Sequence, residues 1–154
     1  MSRFLSQEWA EEAREAVNRG PDDEYRKRKL DKYWDWIDMV RAGFVGSLAL
    51  GVADGADSTE SRYLRMDFAD GSCTEAGVVG RADAYQADFV LEGDEQTWRD
   101  LLSGYDPGKA IMYRRLMLRS GEILDFFKGI YFFVEVLGTI VRLPATVEPA
   151  PETR

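Results

Sequence analysis

The sequence predicts an α+β fold, with helices toward both ends of the chain and strands in its middle. Near both ends, apolar residues recur at three- and four-residue steps, which is the period of an amphipathic helix. In the middle the period changes to two, which is typical of strands that bury one face. The pair Asp70-Gly71 separates two such stretches and favours a two-residue hairpin turn, so adjacent strands are expected to pair there.

Two helices are predicted before the strands. Ser6 is a suitable N-cap for a first helix that ends near Arg19, because its hydroxyl can accept a hydrogen bond from a free backbone N–H. A second helix is predicted from about Asp22 to Val40, and the basic run at 26–29 in its first half is expected to be solvated. The apolar stripe of each helix is expected to face the core and includes a tryptophan, Trp9 or Trp34.

The middle of the chain contains four predicted strands. Apolar and polar residues alternate in them, and polar turn-forming pairs such as Asp54-Gly55 and Asp70-Gly71 separate them. The single cysteine, Cys73, begins the third strand and is expected to be a buried or half-buried strand residue, not a reactive thiol. The four strands cover about 44–52, 63–68, 73–79 and 87–92.

Helices return in the last third of the chain. Asp94 is expected to cap a short helix, and Pro107 favours a further helical turn after it. A fifth strand is predicted from about Leu116 to Arg119. The resulting organisation is one domain over residues 1–143, followed by a proline-containing tail over 144–154 that is expected to be disordered.

The last helix, predicted from Ile123 to Val141, is the most informative element. Its apolar face would be roughly 28 Å long at about 1.5 Å per residue, which is more than a small sheet needs for cover. That face can be ordinary core or the wall of a cavity. Phe132 falls on the opposite, polar face, as a lone exposed aromatic or as part of a partner surface.

Composition and charge disfavour several classes of function. A formal net charge of −8 over 154 residues disfavours binding to nucleic acid and electrostatic capture by anionic membranes, since both need a basic surface. Histidine is absent, and the single cysteine cannot form a multi-thiolate site, so we expect no catalytic set, no metal and no cofactor. The chain shows no secretory signal and no uninterrupted apolar span, so a cytoplasmic protein without stable membrane insertion is expected.

Short motifs between about Ser2 and Val141 form a recognisable pattern. Its most specific part is Ala87–Asp94 followed by Trp98, and the other parts are FLSQEW from Phe4, LLSG from Leu101, Asp106-Pro107 with Ala110, and LMLRSG from Leu116. The pattern resembles sterol carrier protein-like domains. The resemblance implies a five-stranded, mainly antiparallel sheet covered by helices, with an apolar cavity between the sheet and the C-terminal helix.

The resemblance also implies a function, which is to bind and transfer a lipid-like ligand, such as a fatty acyl chain or a sterol, without chemistry. Arg114-Arg115 stands where the family often has a Gly-Lys pair, and could hold a carboxylate or phosphate headgroup or form a surface salt bridge. The residues expected to line the cavity are Phe89, Leu91, Trp98, Leu102, Ile111, Met112, Leu118, Ile123, Phe126, Phe127, Ile130 and Val134.

Two other functions remain open on the sequence alone. A small isomerase or cyclase acting on an apolar substrate would also enclose a pocket between a sheet and helices, and a buried carboxylate with a raised pKa inside the pocket would favour it. A protein-interaction module would instead have a filled core. It would use Phe132 and the charged second helix to bind a partner or a second copy in a homodimer.

Overall fold

The chain folds into short helices and strands in an order close to the predicted one. The computed structural model describes residues 2–52 and 62–146. Ser6 and Asp94 cap their helices as predicted, by accepting hydrogen bonds from the N–H groups of Trp9 and Thr97. The elements are β1 (Ser2–Arg3), α1 (Gln7–Arg19), α2 (Asp23–Arg26), α3 (Asp31–Ala42), β2 (Gly46–Val52), β3 (Arg62–Ala69), β4 (Ser72–Gly80), α4 (Arg81–Ala84), β5 (Phe89–Gly93), α5 (Glu95–Leu102), α6 (Pro107–Met112), β6 (Leu116–Ser120), α7 (Ile123–Lys128), α8 (Ile130–Val141) and β7 (Ala145–Thr146).

A five-stranded mixed sheet forms the centre of the fold, with the strand order β4-β3-β2-β5-β6. Neighbouring strands run antiparallel except β2 and β5, which pair in parallel from Leu48 opposite Phe89 onward. Asp70 and Gly71 form the predicted turn between β3 and β4, and their φ angles of 50° and 81° have the positive sign that a tight hairpin favours. The α+β class and the mainly antiparallel five-stranded sheet are therefore confirmed.

The two faces of the sheet are buried against different partners. Leu48 and Leu91 belong to the main core, which the sheet forms with α1, α3, α5 and α8. Ala49 and Val90, which alternate with them along β2 and β5, belong to a smaller cluster with α4. Cys73 is buried in the main core, and burial raises the pKa of its thiol to about 11. The tryptophans predicted to face the core, Trp9 and Trp34, are both buried there.

The second predicted helix, from Asp22 to Val40, is wrong in its continuity, because it is divided into α2 and α3. The break falls within the basic run, where adjacent like charges gain nothing from a continuous helix, and Leu30 after it has an extended backbone. The break brings α2 back beside α3. As a result, the indole N–H of Trp34 donates to the Arg26 carbonyl at 2.6 Å, and the Tyr25 ring lies 5.9 Å from the Trp34 ring.

The last predicted helix, from Ile123 to Val141, is also wrong in its continuity, because α7 and α8 meet at Gly129. Glycine is a poor helix former, and Gly129 has φ −103° and ψ 15°, which leaves the helical region. The break changes which side of the chain faces the sheet. Phe132, predicted on a polar face, is 3% exposed, and α8 is buried on most sides because α1 and α3 both pack on it.

Some short elements were not predicted from the pattern. α4 precedes β5, and β1 pairs in parallel with β7, with Ser2 opposite Ala145. Ala145 and Thr146 of the predicted tail therefore pair with the N-terminus, while 147–154 lie outside the described residues, as does the predicted loop at Asp54-Gly55. None of the helices in 2–52 and 62–146 combines the length and apolar character that a bilayer span requires.

Candidate ligand-binding site

Two open clefts lie at opposite ends of α8 in the described part of the chain. The first has a volume of about 620 Å³ and is termed the phenylalanine cleft, after a lining that includes Val40, Phe44, Val45, Phe89, Phe132 and Phe133. The second has a volume of about 700 Å³ and is termed the arginine cleft, after a lining that includes Tyr25, Arg28, Leu102, Tyr105, Val141 and Arg142. Ligand pockets typically measure about 300–1,000 Å³. Along α8, the nearest lining residues of the two clefts, Phe133 and Gly138, are roughly 7.5 Å apart at 1.5 Å per residue, and no described residue lines both clefts, so the clefts are separate.

Phenylalanine rings fill the space between the sheet and α8 next to the phenylalanine cleft. The Phe133 ring is central, because its centroid lies 5.4 Å from that of Phe44, 5.3 Å from Phe89 and 5.0 Å from Phe126. The Phe126 and Phe133 rings are nearly parallel, at 2°. These rings occupy the space between the sheet and the C-terminal helix in which the cavity is expected. An open cavity there therefore stays a prediction. The phenylalanine cluster consists of Phe44, Phe68, Phe89, Phe126, Phe132 and Phe133.

Helix α7 forms part of the mouth of this cleft and contacts the core through Phe126, its buried residue. The other apolar side chains of α7 face solvent: Ile123 (55% exposed), Leu124 (68%) and Phe127 (52%). Val45, which lines the same cleft just before β2, is 69% exposed. Apolar surface is therefore exposed around the opening, which is a common sign of a ligand or partner site.

The polar groups at the phenylalanine cleft are mostly acidic. Asp88 accepts a hydrogen bond from the N–H of Ser47 at 2.9 Å, and the Asp88 N–H donates to the Ser47 hydroxyl at 2.9 Å. Lys128 lies 3.9 Å from Asp125, and Glu122 adds a third carboxylate to the lining. Three carboxylates beside one ammonium group disfavour an anionic ligand at this cleft.

The residues that were predicted to line one cavity lie in several different parts of the structure. Phe89 lines the phenylalanine cleft, Phe126 packs against it at 5.7 Å, and Leu102 lines the arginine cleft. Leu91 and Trp98 are enclosed in the main core. The remaining ones are either exposed, namely Met112, Ile123 and Phe127, or half-buried, namely Ile111, Leu118, Ile130 and Val134.

Phe44, Phe132 and Phe133 are cleft residues that the sequence reasoning did not select. The period-two pattern places Phe44 at the start of a strand, whereas β2 begins at Gly46 and leaves the Phe44 ring free to pack on α8. A continuous last helix places Phe132 on its polar face, whereas the structure buries it. Gly129 is the sequence signal that could have identified Phe132 and Phe133. A helix break at this glycine changes which of the residues after it face the sheet.

Two other predicted features have structural roles. The indole N–H of Trp98 donates to the Gly51 carbonyl at 2.9 Å, which fixes the ring inside the core. Arg115 forms an ion pair with Asp100 at 2.6 Å and lies over the Tyr105 ring at 4.7 Å. The hydrogen bond from Arg115 lowers the pKa of Asp100 below its ordinary value. Arg115 therefore follows the salt-bridge alternative rather than the headgroup alternative.

Two buried carboxylates lie outside both clefts. Glu92 accepts a hydrogen bond from the Tyr63 hydroxyl at 3.1 Å, on the sheet face that carries α4. Glu135 accepts from the Tyr33 hydroxyl and from Lys29 Nζ, the latter at 3.2 Å. Burial raises the pKa of both tyrosines well above the ordinary value. In the described residues, no group of three or more Cys, Asp or Glu side chains could hold a metal ion.

The fold is similar to solved structures of sterol carrier proteins. A crystal structure of sterol carrier protein 2 matches with a TM-score of 0.69 and 25% identity, over 92% of this chain and 100% of that one. The solution structure of a conserved hypothetical protein from Thermus thermophilus, described as a candidate sterol carrier protein, gives a TM-score of 0.63 and 24% identity over 94% of each chain. No protein-family model and no curated protein matches the sequence.

The fold places the chain in the α+β class that solved sterol carrier protein structures share, with an open cleft at each end of α8. More specifically, the chain is sterol carrier protein-like over most of its length, which confirms the resemblance that the sequence motifs indicated. At this level of identity, the likeness gives the class of domain. The ligand has to be argued from the chain's own residues.

Proposed function

We propose that this domain binds an apolar, lipid-like ligand at the phenylalanine cleft and carries it without chemical change. One observation carries the proposal: the rings of Phe44, Phe89, Phe132 and Phe133 line an open cleft of about 620 Å³. Removing apolar surface from water contributes about 25 cal/mol for each Å². Phe89, Phe132 and Phe133 are already buried. A chain or ring system would therefore gain its burial from the half-buried Phe44, from the exposed Val45 and from rings that are uncovered as the cleft deepens.

A deeper pocket can form if the ligand displaces Phe126 from its place against Phe133. The cleft lies beside α7, and Phe126 is the buried residue of that helix. Moving α7 outward would separate the two stacked rings and open the space in which the sequence predicts a cavity. On this proposal Phe89 and Phe126 keep the ligand-binding role that was expected of them.

The charge of the mouth supports a neutral ligand over an anionic one. Asp88, Glu122 and Asp125 line the cleft with Lys128 as their cationic neighbour. A free carboxylate head would be repelled there, whereas a sterol, an acyl ester or a long-chain alcohol would not. A sterol is not favoured over other neutral apolar ligands.

The absence of chemistry is supported by where the buried acids lie. An isomerase or cyclase would need an acid or base inside a substrate-sized pocket, but Glu92 lines neither cleft and Glu135 lines a gap of about 30 Å³, which is too small for such a substrate. The carboxylates that do line the phenylalanine cleft are exposed, so nothing shields them from water. These observations favour a carrier, and the cytoplasmic location remains a prediction.

One observation favours a second candidate function, which is docking of another protein or a second copy. Ile123, Leu124 and Phe127 are exposed on one short helix next to exposed Val45. Such a surface can be covered by a partner as well as by a lipid. A homodimer formed through this surface would close the phenylalanine cleft, so the two candidates make opposite predictions for ligand binding.

The test is a titration of the delipidated protein with dehydroergosterol, a fluorescent sterol, and with a fluorescent dodecanol. Val45→Asp places a charge on the rim of the cleft and is expected to weaken binding about tenfold, equivalent to about 1.4 kcal/mol. Leu30→Asp is the matched control, since Leu30 is 79% exposed and does not line the cleft. Surface substitutions of this kind usually change stability by less than about 0.5 kcal/mol.

Equal binding by both variants, or no binding of either probe, would refute the proposed site. Light scattering after size exclusion tests the second candidate, because a dimer that Val45→Asp dissociates and that binds no probe would support docking instead. Mass spectrometry of the recovered probes tests the absence of chemistry. A changed mass would overturn that part of the proposal.

A further inference from the structure

We propose that the arginine cleft is a second binding site, which takes a phosphate or carboxylate group attached to an apolar chain. This site is about 700 Å³ in volume and lies at the other end of α8 from the phenylalanine cleft. The inference does not depend on ligand binding at the phenylalanine cleft. It rests on the position of two guanidinium groups, on their lack of carboxylate partners among the described residues, and on the half-buried apolar side chains that share the lining.

Two guanidinium groups converge on one ring in this cleft. Arg142 lies 3.9 Å from the centroid of the Tyr25 ring, and Arg28 lies 5.3 Å from the same centroid. Arg142 is held close to α8, because Nη1 would be only 3.1 Å from a Cβ atom placed on Gly138. Its Nη2 donates to the Thr139 hydroxyl at 3.4 Å. The ring and the helix therefore hold Arg142 in place before any ligand arrives, while Arg28 contacts the ring from the turn after α2.

Neither of these cations is neutralised within the described residues. Arg28 and Arg142 form no ion pair there, in contrast to cations such as Arg99 and Arg115 elsewhere in this acidic chain. Asp106 is the one carboxylate in the described lining of the cleft, and it accepts a hydrogen bond from the Lys109 N–H as the cap of α6. Two guanidinium groups without carboxylate partners attract an anion to this cleft, and each can form a charge-assisted contact with it.

The end of α8 does not by itself explain this pair. Arg142 follows the last turn of α8, where free carbonyl groups favour a cation. Arg28 follows α2, and the turn in which its N–H donates to the Tyr25 carbonyl brings it to the same ring. The backbone therefore positions each arginine separately, and the feature that favours a ligand is that both guanidinium groups meet at one cleft.

The rest of the cleft indicates that the anion carries an apolar part. Leu102, Pro107 and Leu143 line it and are half-buried, which leaves part of their apolar surface open to a ligand. A free inorganic anion would use none of this surface, whereas an acyl or alkyl chain would cover it. The ligand class is therefore a single-chain anionic amphiphile, with the free phosphate ion as the alternative source of the same chemistry.

Calorimetric titration with dodecyl phosphate, laurate, dodecanol and inorganic phosphate separates these sources. The intact protein is expected to bind dodecyl phosphate and laurate at least about tenfold more tightly at the arginine cleft than it binds inorganic phosphate. Arg28→Gln and Arg142→Gln are each expected to weaken dodecyl phosphate binding roughly three- to tenfold, because both side chains are solvent-accessible. Arg81→Gln is the matched control, since Arg81 also lies over a tyrosine ring, at 5.0 Å from Tyr85, outside both clefts.

The outcomes distinguish this inference from the proposed function. Dodecyl phosphate binding that survives both glutamine substitutions, or that falls equally in Arg81→Gln, would overturn the anion site. Inorganic phosphate binding as tightly as dodecyl phosphate would overturn the amphiphile. Val45→Asp should leave dodecyl phosphate binding at the arginine cleft unchanged. If dehydroergosterol does not bind to the protein, that result speaks only against ligand binding at the phenylalanine cleft. Arg28→Gln alone changes an exposed side chain, so it reports on binding even if Arg142→Gln impairs folding.

Discussion

Replacing Phe126 with alanine tests whether α7 is attached to the core by one side chain. Phe126 is 1% exposed and stacks on Phe133, while the other apolar residues of α7 are exposed. Truncating a core phenylalanine to alanine costs about 3–5 kcal/mol when the surroundings stay in place. Here α7 can detach instead, because Gly121 and Gly129 flank it. We therefore expect a loss in the free energy of unfolding near the lower end, about 3 kcal/mol.

Two measurements check this expectation. Urea unfolding gives the free energy, and hydrogen exchange read by mass spectrometry should show that amides of 123–128 lose protection before the sheet does. Phe127→Ala is the control, because Phe127 is 52% exposed and should cost less than about 1 kcal/mol. Equal costs for the two variants, or unchanged protection of α7 in Phe126→Ala, would refute the reasoning that one ring anchors this helix.

Two further predictions concern stability. Gly71→Ala should cost about 2 kcal/mol or more, because φ is 81° and a Cβ would lie 2.2 Å from the Arg41 carbonyl oxygen, whereas Gly43→Ala, with nothing within 4 Å, should cost far less in the same urea assay. Equal costs would argue against strain at Gly71. Burial raises the folded pKa of Tyr33 and Tyr63 above the ordinary value of 10, so their contribution to stability is complete below pH 10 and is lost as the pH rises above it. Tyr63→Phe should make the alkaline loss of stability smaller, and phenolate absorbance shows whether the folded groups titrate late.

Much of the fold could be predicted from local chemistry. The Ser6 and Asp94 caps, the Asp70-Gly71 turn and the strand alternation each depend on residues close in sequence, and each is present in the structure. The order of the sheet is a different matter. The parallel pairing of β2 with β5 joins distant segments, and only the resemblance to a known family implied the complete sheet.

The candidate site could be predicted only in part, because its position depends on the phase of one helix. Treating Ile123–Val141 as continuous placed Phe132 in solvent and Phe127 in the core, whereas the break at Gly129 reverses both. The burial of Glu135 was equally hidden, because its partners Lys29 and Tyr33 come from a segment about a hundred residues earlier. A periodic pattern gives the face of an element, but it does not show which other elements cover the opposite face.

The clefts at the two ends of α8 are lined mainly by charges of opposite sign. The end that carries Phe132 and Phe133 opens beside carboxylates, and the end that carries Arg142 opens beside a second guanidinium. The charged groups of the two clefts lie at opposite ends of α8, which is roughly 18 Å long, while exposed charges are screened over about 8 Å at physiological ionic strength, so each site should respond mainly to its own charges. A neutral lipid should therefore prefer the first cleft and an anionic amphiphile the second. Raising the salt concentration should weaken binding of an anionic amphiphile at the arginine cleft. It should leave binding of a neutral lipid at the phenylalanine cleft largely unchanged, because that binding depends on burial of apolar surface.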